Sequence, residues 1–482
     1  MTTRKVAKPH KPATPKTTTA AKKKKSSVIR TIGPAIPLAI ALGHGALSPT
    51  TPTTTPATGT TITSTTTETT SGAAVSVSDC NSGVPCPLVA DGHPVTWWFV
   101  FKLNAKAFPE CGGGTRTCPF GGTVQTTATY KDFGQQYVVA SSDSTALQDG
   151  VTDCLGTTTK DPVGASFDEI YNGNYHYVIW NDQPYGDPKI AACTSKGNCD
   201  APWGHSKGIV AWNDAGQGFV MQVSTPSWPA SGSKNFPRKT DGNTLGCVQD
   251  NDVTFSQHFF ALTLNKDDLV LVLKGLANAS VVTDPKNPQV VNNGGPSDVQ
   301  ALVNSLGQLS KSETLVEGKL STGVTFISKP SDMNVPPWQM VSSQLGGVSL
   351  RTATFWASPQ IPTTTDSTVP GCWDEALGTP GPVAIATTGS WRGKTFDLTG
   401  TPGGNHAKIG VTTSGTTAYS IFGDENQQGQ LETDCKSSQN GRGGTFYALE
   451  NQDLTTSITN LIAGSTGSTT ASKSAPAAAS TE

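Results

Sequence analysis

Between residues 95 and 450 the apolar positions come mostly as short runs, rich in aromatic and β-branched residues and bounded by Gly, Asn, Asp and Pro. Strands covered on both faces read this way. Val95–Leu103 (VTWWFVFKL) is such a run, and Tyr175–Trp180 (YHYVIW), closed by Asn181-Asp182-Gln183-Pro184, is a second. Two other stretches are patterned as hairpins. One is Ile209–Trp212 with Gly218–Ser224 around a turn at Asn213–Gly216; the other is Ile409–Thr412 with Thr417–Phe422 around Thr413–Gly415. Helical spacing is best at Leu262–Ala277 and at Ser297–Leu309, the latter with Ser297 as N-cap. Many strands with a few helices predict an α/β or α+β body.

Each hairpin opens on the same pattern, His205-Ser206-Lys207 and His406-Ala407-Lys408, 201 residues apart. Residues i and i+2 of a strand point to one face, so each pattern sets an imidazole beside an ammonium. A hairpin returns its far end beside its start. Ser224 is therefore expected near His205, and Asp424 and Asn426 near His406, with Ser224 standing where the second half has Asn426. A lone pair would read as a strand histidine beside a solvated lysine. Two pairs, each opening the same kind of hairpin, predict two similar halves that complete one phosphate site.

The chemistry of such a site follows from its groups. One histidine attacks phosphorus; the other protonates the leaving oxygen and then activates water. Lys207, Lys408 and Asn426 would hold the non-bridging oxygens. Which histidine takes which role stays open in the sequence. No carboxylate cluster of the two-metal kind is visible, so neither a metal nor another cofactor is expected. An acid that must start protonated, with an ordinary pKa of ~6.5, favours acidic pH. His176 and His258 lie in apolar strand-like runs and read as structural. Asn181 and Asp182 either end a strand or support the site, and Asn278-Ala279-Ser280 matches a glycosylation sequon by pattern.

Composition changes the picture at the ends of the chain. The 482 residues carry a net charge of -2, but residues 1–30 hold ten Lys or Arg and no acid. Residues 31–72 add only Glu68, which leaves 24 basic and 35 acidic residues, about -11, for the rest. An acidic body would handle phosphodiesters best at low pH. Residues 28–42 are an apolar run behind the basic lead, interrupted by Pro34 and Pro37, and resemble a signal segment cleaved after Gly43 or else a retained anchor. The expected organisation is 1–47 lead, 48–74 Thr/Pro-rich disordered linker, 75–270 and 271–462 two halves, and 463–482 disordered tail. Ten cysteines in Gly- and Asn-rich loops, with no CxxC pair, predict disulfides and an oxidising, extracytoplasmic location.

These segments resemble the deoxyribonuclease II family of the phospholipase D-like superfamily. The resemblance is carried by Trp97–Leu103, Tyr177–Pro184, Gly204-His205-Ser206-Lys207-Gly208, Val223–Pro226 with Trp228-Pro229, Thr244–Val248, His406-Ala407-Lys408 and Gly423–Asn426. Residues 280–400 match weakly, although Leu350–Trp356 sits where a buried strand is expected. The Asp that the wider superfamily carries seven residues after each His is Trp212 and Thr413 here, which agrees better with the deoxyribonuclease II branch than with lipases.

The resemblance implies two α/β/α sandwich halves with mixed sheets, related by a pseudo-twofold axis about a central groove. It implies a metal-independent acid endonuclease that cuts DNA to 3′-phosphates through His205, Lys207, His406 and Lys408. Ser224, Asp424 and Asn426 would contact substrate. DNA is then the partner, with no obligate protein partner and room for a homodimer; a membrane enters only if the apolar segment is retained. The alternatives are another phosphodiesterase of the superfamily and a non-catalytic surface protein that binds DNA.

Overall fold

The computed structural model describes residues 68–470, apart from 105, 109–135, 151–154, 157, 185–187, 191–197, 227, 239–254 and 402. The basic lead, the apolar run at 28–42, the linker up to residue 67, Thr244–Val248, five of the cysteines (111, 118, 154, 193 and 247) and the tail from 471 lie outside the described residues.

In the first part of the chain the strands are β1 (Glu68–Thr69), β2 (Leu88–Val89), β3 (His93–Pro94), β4 (Trp97–Lys102), β5 (Tyr137–Ser141), β6 (Ser144–Asp149), β7 (His176–Asn181), β8 (Lys207–Trp212), β9 (Gly218–Val223), β10 (Gln257–Leu264) and β11 (Val291–Asn292). Then come β12 (Val316–Lys319), β13 (Thr325–Lys329), β14 (Leu350–Ala353), β15 (Val383–Ile385), β16 (Thr388–Trp391), β17 (Lys394–Asp397), β18 (Ile409–Thr412), β19 (Tyr419–Gly423) and β20 (Gly444–Glu450). The helices are α1 (Val77–Cys80), α2 (Pro162–Asn172), α3 (Lys266–Asn278), α4 (Ser297–Asn304), α5 (Pro337–Gln344) and α6 (Gln452–Leu461).

Two eight-stranded sheets form the body of this mixed α/β protein. Their orders are β11-β7-β8-β9-β10-β4-β5-β6 and β1-β12-β13-β20-β19-β18-β14-β15. Every pair in the first sheet is antiparallel. The second is antiparallel except at its edges, where β1–β12 and β14–β15 are parallel. Mixed pairing was expected in both sheets and occurs only in the second. Short hairpin connections allow antiparallel neighbours without a crossover.

The sheets meet face to face through aromatic rings. Phe260 stacks on Phe422 with centroids 4.2 Å apart, and Phe99 lies 4.7 Å from Phe422. β4, β8, β9 and β10 are buried at every position, which explains their continuous apolar runs.

The internal repeat is a matter of topology as well as motif. β4, α2, β7, the β8–β9 hairpin, β10 and α3 follow one another as do β13, α5, β14, the β18–β19 hairpin, β20 and α6. The order β7-β8-β9-β10-β4 in one sheet is matched by β14-β18-β19-β20-β13 in the other. The last helix of each set is N-capped by an asparagine, Asn265 and Asn451, whose side chain accepts the N–H three residues on.

Several boundaries differ from the sequence reading. Leu262–Leu264 complete β10 rather than begin a helix, because their backbones pair with β9 and β4. α4 starts with Ser297 as a helical residue after Pro296 and ends at Asn304. The division expected at 270/271 falls inside α3, and β11 beyond it still belongs to the first sheet. Glu68–Thr69, placed in the linker, pair with β12, and Thr466, placed in the tail, bridges to Ala386.

Cys80–Cys86 and Cys372–Cys435 are disulfides, and Cys199 is disulfide-bonded too. No helix among the described residues is long and apolar enough to cross a membrane.

Candidate active site

His205 and His406 line one cleft of about 180 Å³, together with Lys408, Ser224, Asn426 and Arg442. Each histidine is held by the other half. The His205 N–H donates to the Gly443 carbonyl at 2.8 Å, and its Nδ1 donates to the Asp424 carbonyl at 2.8 Å. Conversely, the His406 N–H donates to the Ser256 carbonyl at 2.8 Å, and Gln257 Nε2 reaches its Nδ1 at 3.4 Å. Gly443 and Ser256 are equivalent, each immediately before the strand that follows its hairpin. These segments are fixed from below by buried lysines at the ends of β4 and β13. Lys102 Nζ donates to the Phe255 carbonyl, and Lys329 Nζ to the Arg442 and Asn440 carbonyls.

The strand registers settle which residues correspond. β8 pairs with β9 from Gly208 and Gln222, and β18 with β19 from Ile409 and Phe422. Carried outward, these registers set Ser224 opposite Ser206 and Asp424 opposite Ala407. Ser224 is therefore the counterpart of Asp424, and Pro226 that of Asn426, which corrects the equivalence expected from sequence. The hairpin ends also serve the opposite histidines. The Ser224 hydroxyl donates to Gln257 Oε1 at 2.6 Å, and Gln257 reaches His406, while the Asp424 carbonyl holds His205. The Asp424 carboxylate accepts from Thr445 N and Oγ1 at 2.8 and 2.7 Å and is absent from the cleft lining.

The same registers expose a difference between the halves. Arg442 and Phe255 are equivalent, each two residues before β20 or β10; Asp182 and Phe355 are equivalent after β7 and β14. Beside the first motif these positions form an ion pair, Arg442 Nη2 to Asp182 Oδ2 at 2.8 Å, whose other oxygen takes Lys207 Nζ at 2.7 Å. Arg442 also donates to the carbonyls of Cys199, Gly204 and Trp203. Beside the second motif the two positions are phenylalanines. Phe255 stacks on the His406 ring at 3.9 Å and Phe355 meets it edge-on at 5.1 Å.

The lysines are unequal for the same reason. Lys207 is 2 % exposed, bound to Asp182, and does not line the cleft. The Lys408 ammonium lines the cleft and has no hydrogen-bond or ion-pair partner among the described residues. Its backbone N–H donates to His258 Nδ1 at 3.1 Å, so buried His258 is tied into the strand, in keeping with a structural role. Burial and the neighbouring Lys207 hold Lys408 well below the usual ammonium range. Burial, then Lys207, Lys408 and Arg442, push His205 well below its ordinary value; burial, then Lys408, Lys207 and Lys102, do the same to His406. Burial raises Asp424 to about 6.

Asp182, Gln183, Asn198 and Asp200 line the cleft from the first half; Phe355, Asn426, Gln428 and Gln439 line it from the second. Sequence reasoning missed Arg442, Gln257, Phe255, Phe355 and Gln439. Their only signal is position relative to strands that pair across the fold. Asn278 is 6 % exposed and donates its amide to the Thr314 and Ser328 carbonyls, so its sequon is closed in the folded chain.

Among known proteins, the sequence model of the family described as Deoxyribonuclease II matches residues 87–466. No curated protein matches the chain.

Proposed function

The chain belongs to the deoxyribonuclease II family, hydrolases of DNA, and we propose that it is a metal-independent acid endonuclease whose two histidines divide nucleophile and acid. The observation that carries this reading is the pair of His-x-Lys histidines from equivalent hairpins lining one cleft beside the unpaired Lys408 ammonium.

The hydrogen bonds support a division of labour. A carbonyl only accepts, so His205 carries its proton on Nδ1 and keeps the Nε2 lone pair. Gln257 accepts from the Ser224 hydroxyl on Oε1 and turns its amide N–H to Nδ1 of neutral His406. When His406 is charged its Nδ1 also carries a proton, and Gln257 then turns Oε1 to accept it. His205 Nε2 then attacks phosphorus and the P–O5′ bond breaks. The 5′ oxygen takes the Nε2 proton of a charged His406. Water next loses a proton to His406 and attacks phosphorus; the N–P bond breaks, giving a 3′-phosphate and free His205. Lys408 stabilises the charge on the non-bridging oxygens.

The depressed basicity of His205 keeps its lone pair available even in acid. His406 is depressed too, so it is charged only at low pH, and this need for a proton on the acid is what favours acidic pH. The disulfides support export to an oxidising compartment, with the apolar segment as the exporting signal.

The test is plasmid nicking at pH 5 in EDTA, with an alkaline quench to trap labelled protein. Wild type should nick, leave 3′-phosphate ends and carry DNA covalently on His205. Nicking that needs added magnesium, or 5′-phosphate ends, refutes the mechanism.

A further inference from the structure

The second-half wall of the cleft carries a feature that phosphate chemistry does not use. Phe355 is half-buried and lines the cleft where the first half has Asp182. On the same cleft, Asn426 is 4 % exposed and its Oδ1 has no partner among the described residues. Gln439 accepts the Asn426 N–H through Oε1 at 3.4 Å, which leaves its Nε2 donors unpartnered among the described residues. Gln428 fixes the Asn426 amide by accepting from Nδ2 at 3.0 Å and is itself anchored on the Ala357 carbonyl at 3.1 Å. An acceptor and a donor thus line the cleft together with an aromatic ring, near the charged Lys408 and Arg442.

We propose that Phe355, Asn426 and Gln439 form a nucleobase subsite, which takes one unpaired base of the DNA beside the scissile phosphate. The ring of Phe355 offers a stacking face, and stacking on aromatic side chains is how unpaired bases are held. Asn426 Oδ1 and Gln439 Nε2 match a base edge that presents a donor beside an acceptor, as every base does. The first-half wall cannot do this, because Asp182 and Asp200 stand there.

The subsite adjoins His406, through the edge contact of Phe355 with its ring at 5.1 Å. This part rests on the reading of His406 as the acid for the leaving 5′ oxygen: the base then belongs to the nucleotide on the 3′ side of the cut. In duplex DNA that base must leave the stack, which costs least at a mismatch or in single strands.

The test uses single-stranded oligonucleotides with one cleavable linkage, carrying either a normal base or an abasic analogue on the 3′ side of it. Wild type should cut the abasic strand at least roughly tenfold less efficiently, by kcat/KM. Gln439→Leu should lower cutting of the normal strand and leave the abasic strand within about twofold, and Phe355→Ala should lower the normal strand more than the abasic one. Gln439 does not touch either histidine, so its variant guards against damage to His406. Equal cutting of both strands by wild type overturns the subsite, as does an equal loss on both strands in both variants. A His205→Ala variant run alongside separates the two ideas: if it still cuts, the two-histidine mechanism fails, whatever the base dependence.

Discussion

The two halves of the cleft share a backbone and differ in chemistry. At one pair of equivalent positions the first half has Asp182 and Arg442, an ion pair around which Lys207 is locked; the second has Phe355 and Phe255, packed on the ring of His406. Lys408 consequently has no ion-pair partner among the described residues, although Asp182 and Asp424 lie close enough to favour its charge, and it lines the cleft. The lysine of one half is locked in an ion pair and that of the other is not. A two-step displacement asks for this inequality, because its nucleophile and its acid need different protonation states at the same moment.

The largest effect should come from the histidines. On DNA at pH 5, His205→Ala and His406→Ala should each lose more than about a thousandfold in kcat. A diester with a p-nitrophenyl leaving group needs no acid in the first step, so it should restore a stoichiometric burst of p-nitrophenol in His406→Ala and not in His205→Ala. Equal rescue would erase the distinction between the two sides.

Next is Lys408→Met, expected to lose about a hundredfold or more in kcat/KM while raising Tm. A buried ammonium without a partner opposes folding, and its removal relieves that cost. A lowered Tm would show that Lys408 is structurally compensated. Lys207→Met should behave oppositely on stability, since it leaves the Asp182 carboxylate with Arg442 alone, and breaking a buried pair costs about 3–5 kcal/mol.

Gln257→Glu is subtler. A carboxylate facing His406 Nδ1 favours the imidazolium, so the limb of the pH–kcat profile set by the acid should move to higher pH. An unmoved limb would mean that Gln257 does not bear on His406.

The smallest effect concerns the counterparts Ser224 and Asp424. Asp424 titrates near 6 when folded, above its unfolded value of ~3.9, so the native state holds an extra proton between these values. The stability this contributes is complete below the unfolded value and is lost as pH rises through about 6. Asp424→Asn should therefore lose less Tm than wild type between pH 4 and pH 7, whereas Ser224→Ala should leave the pH dependence of Tm unchanged.

Much of this was legible in the chain. The two His-x-Lys hairpins, the buried runs of β4 and β7 and the disposition to form disulfides all come from local pattern. What stayed hidden depends on register between distant strands. Counting along the hairpins alone aligned Ser224 with Asn426; only the pairing of β8 with β9 and β18 with β19 shows the partner to be Asp424. Likewise Arg442 sits in a Gly-rich approach to β20 that nothing local marks as functional, and its counterpart Phe255 has a different side chain altogether. The crossing of supports, with each hairpin end serving the other half's histidine, has no signature within either half. The helix expected from Leu262 failed at its start because β10 claims those backbones on both edges.

The closing helices carry one more consequence. α3 follows the first sheet's β10 yet packs on β12 and β13 of the second, with Gly275 against the Phe326 ring and its carbonyl taking the Ser328 hydroxyl at 2.7 Å. α6 follows the second sheet's β20 and reaches β6 of the first, where Ser457 accepts the Leu147 N–H. The molecule is laced like two hands with interlocked thumbs. Neither half keeps its cover if separated, so a chain cut back to one half would leave a sheet exposed rather than make half an enzyme.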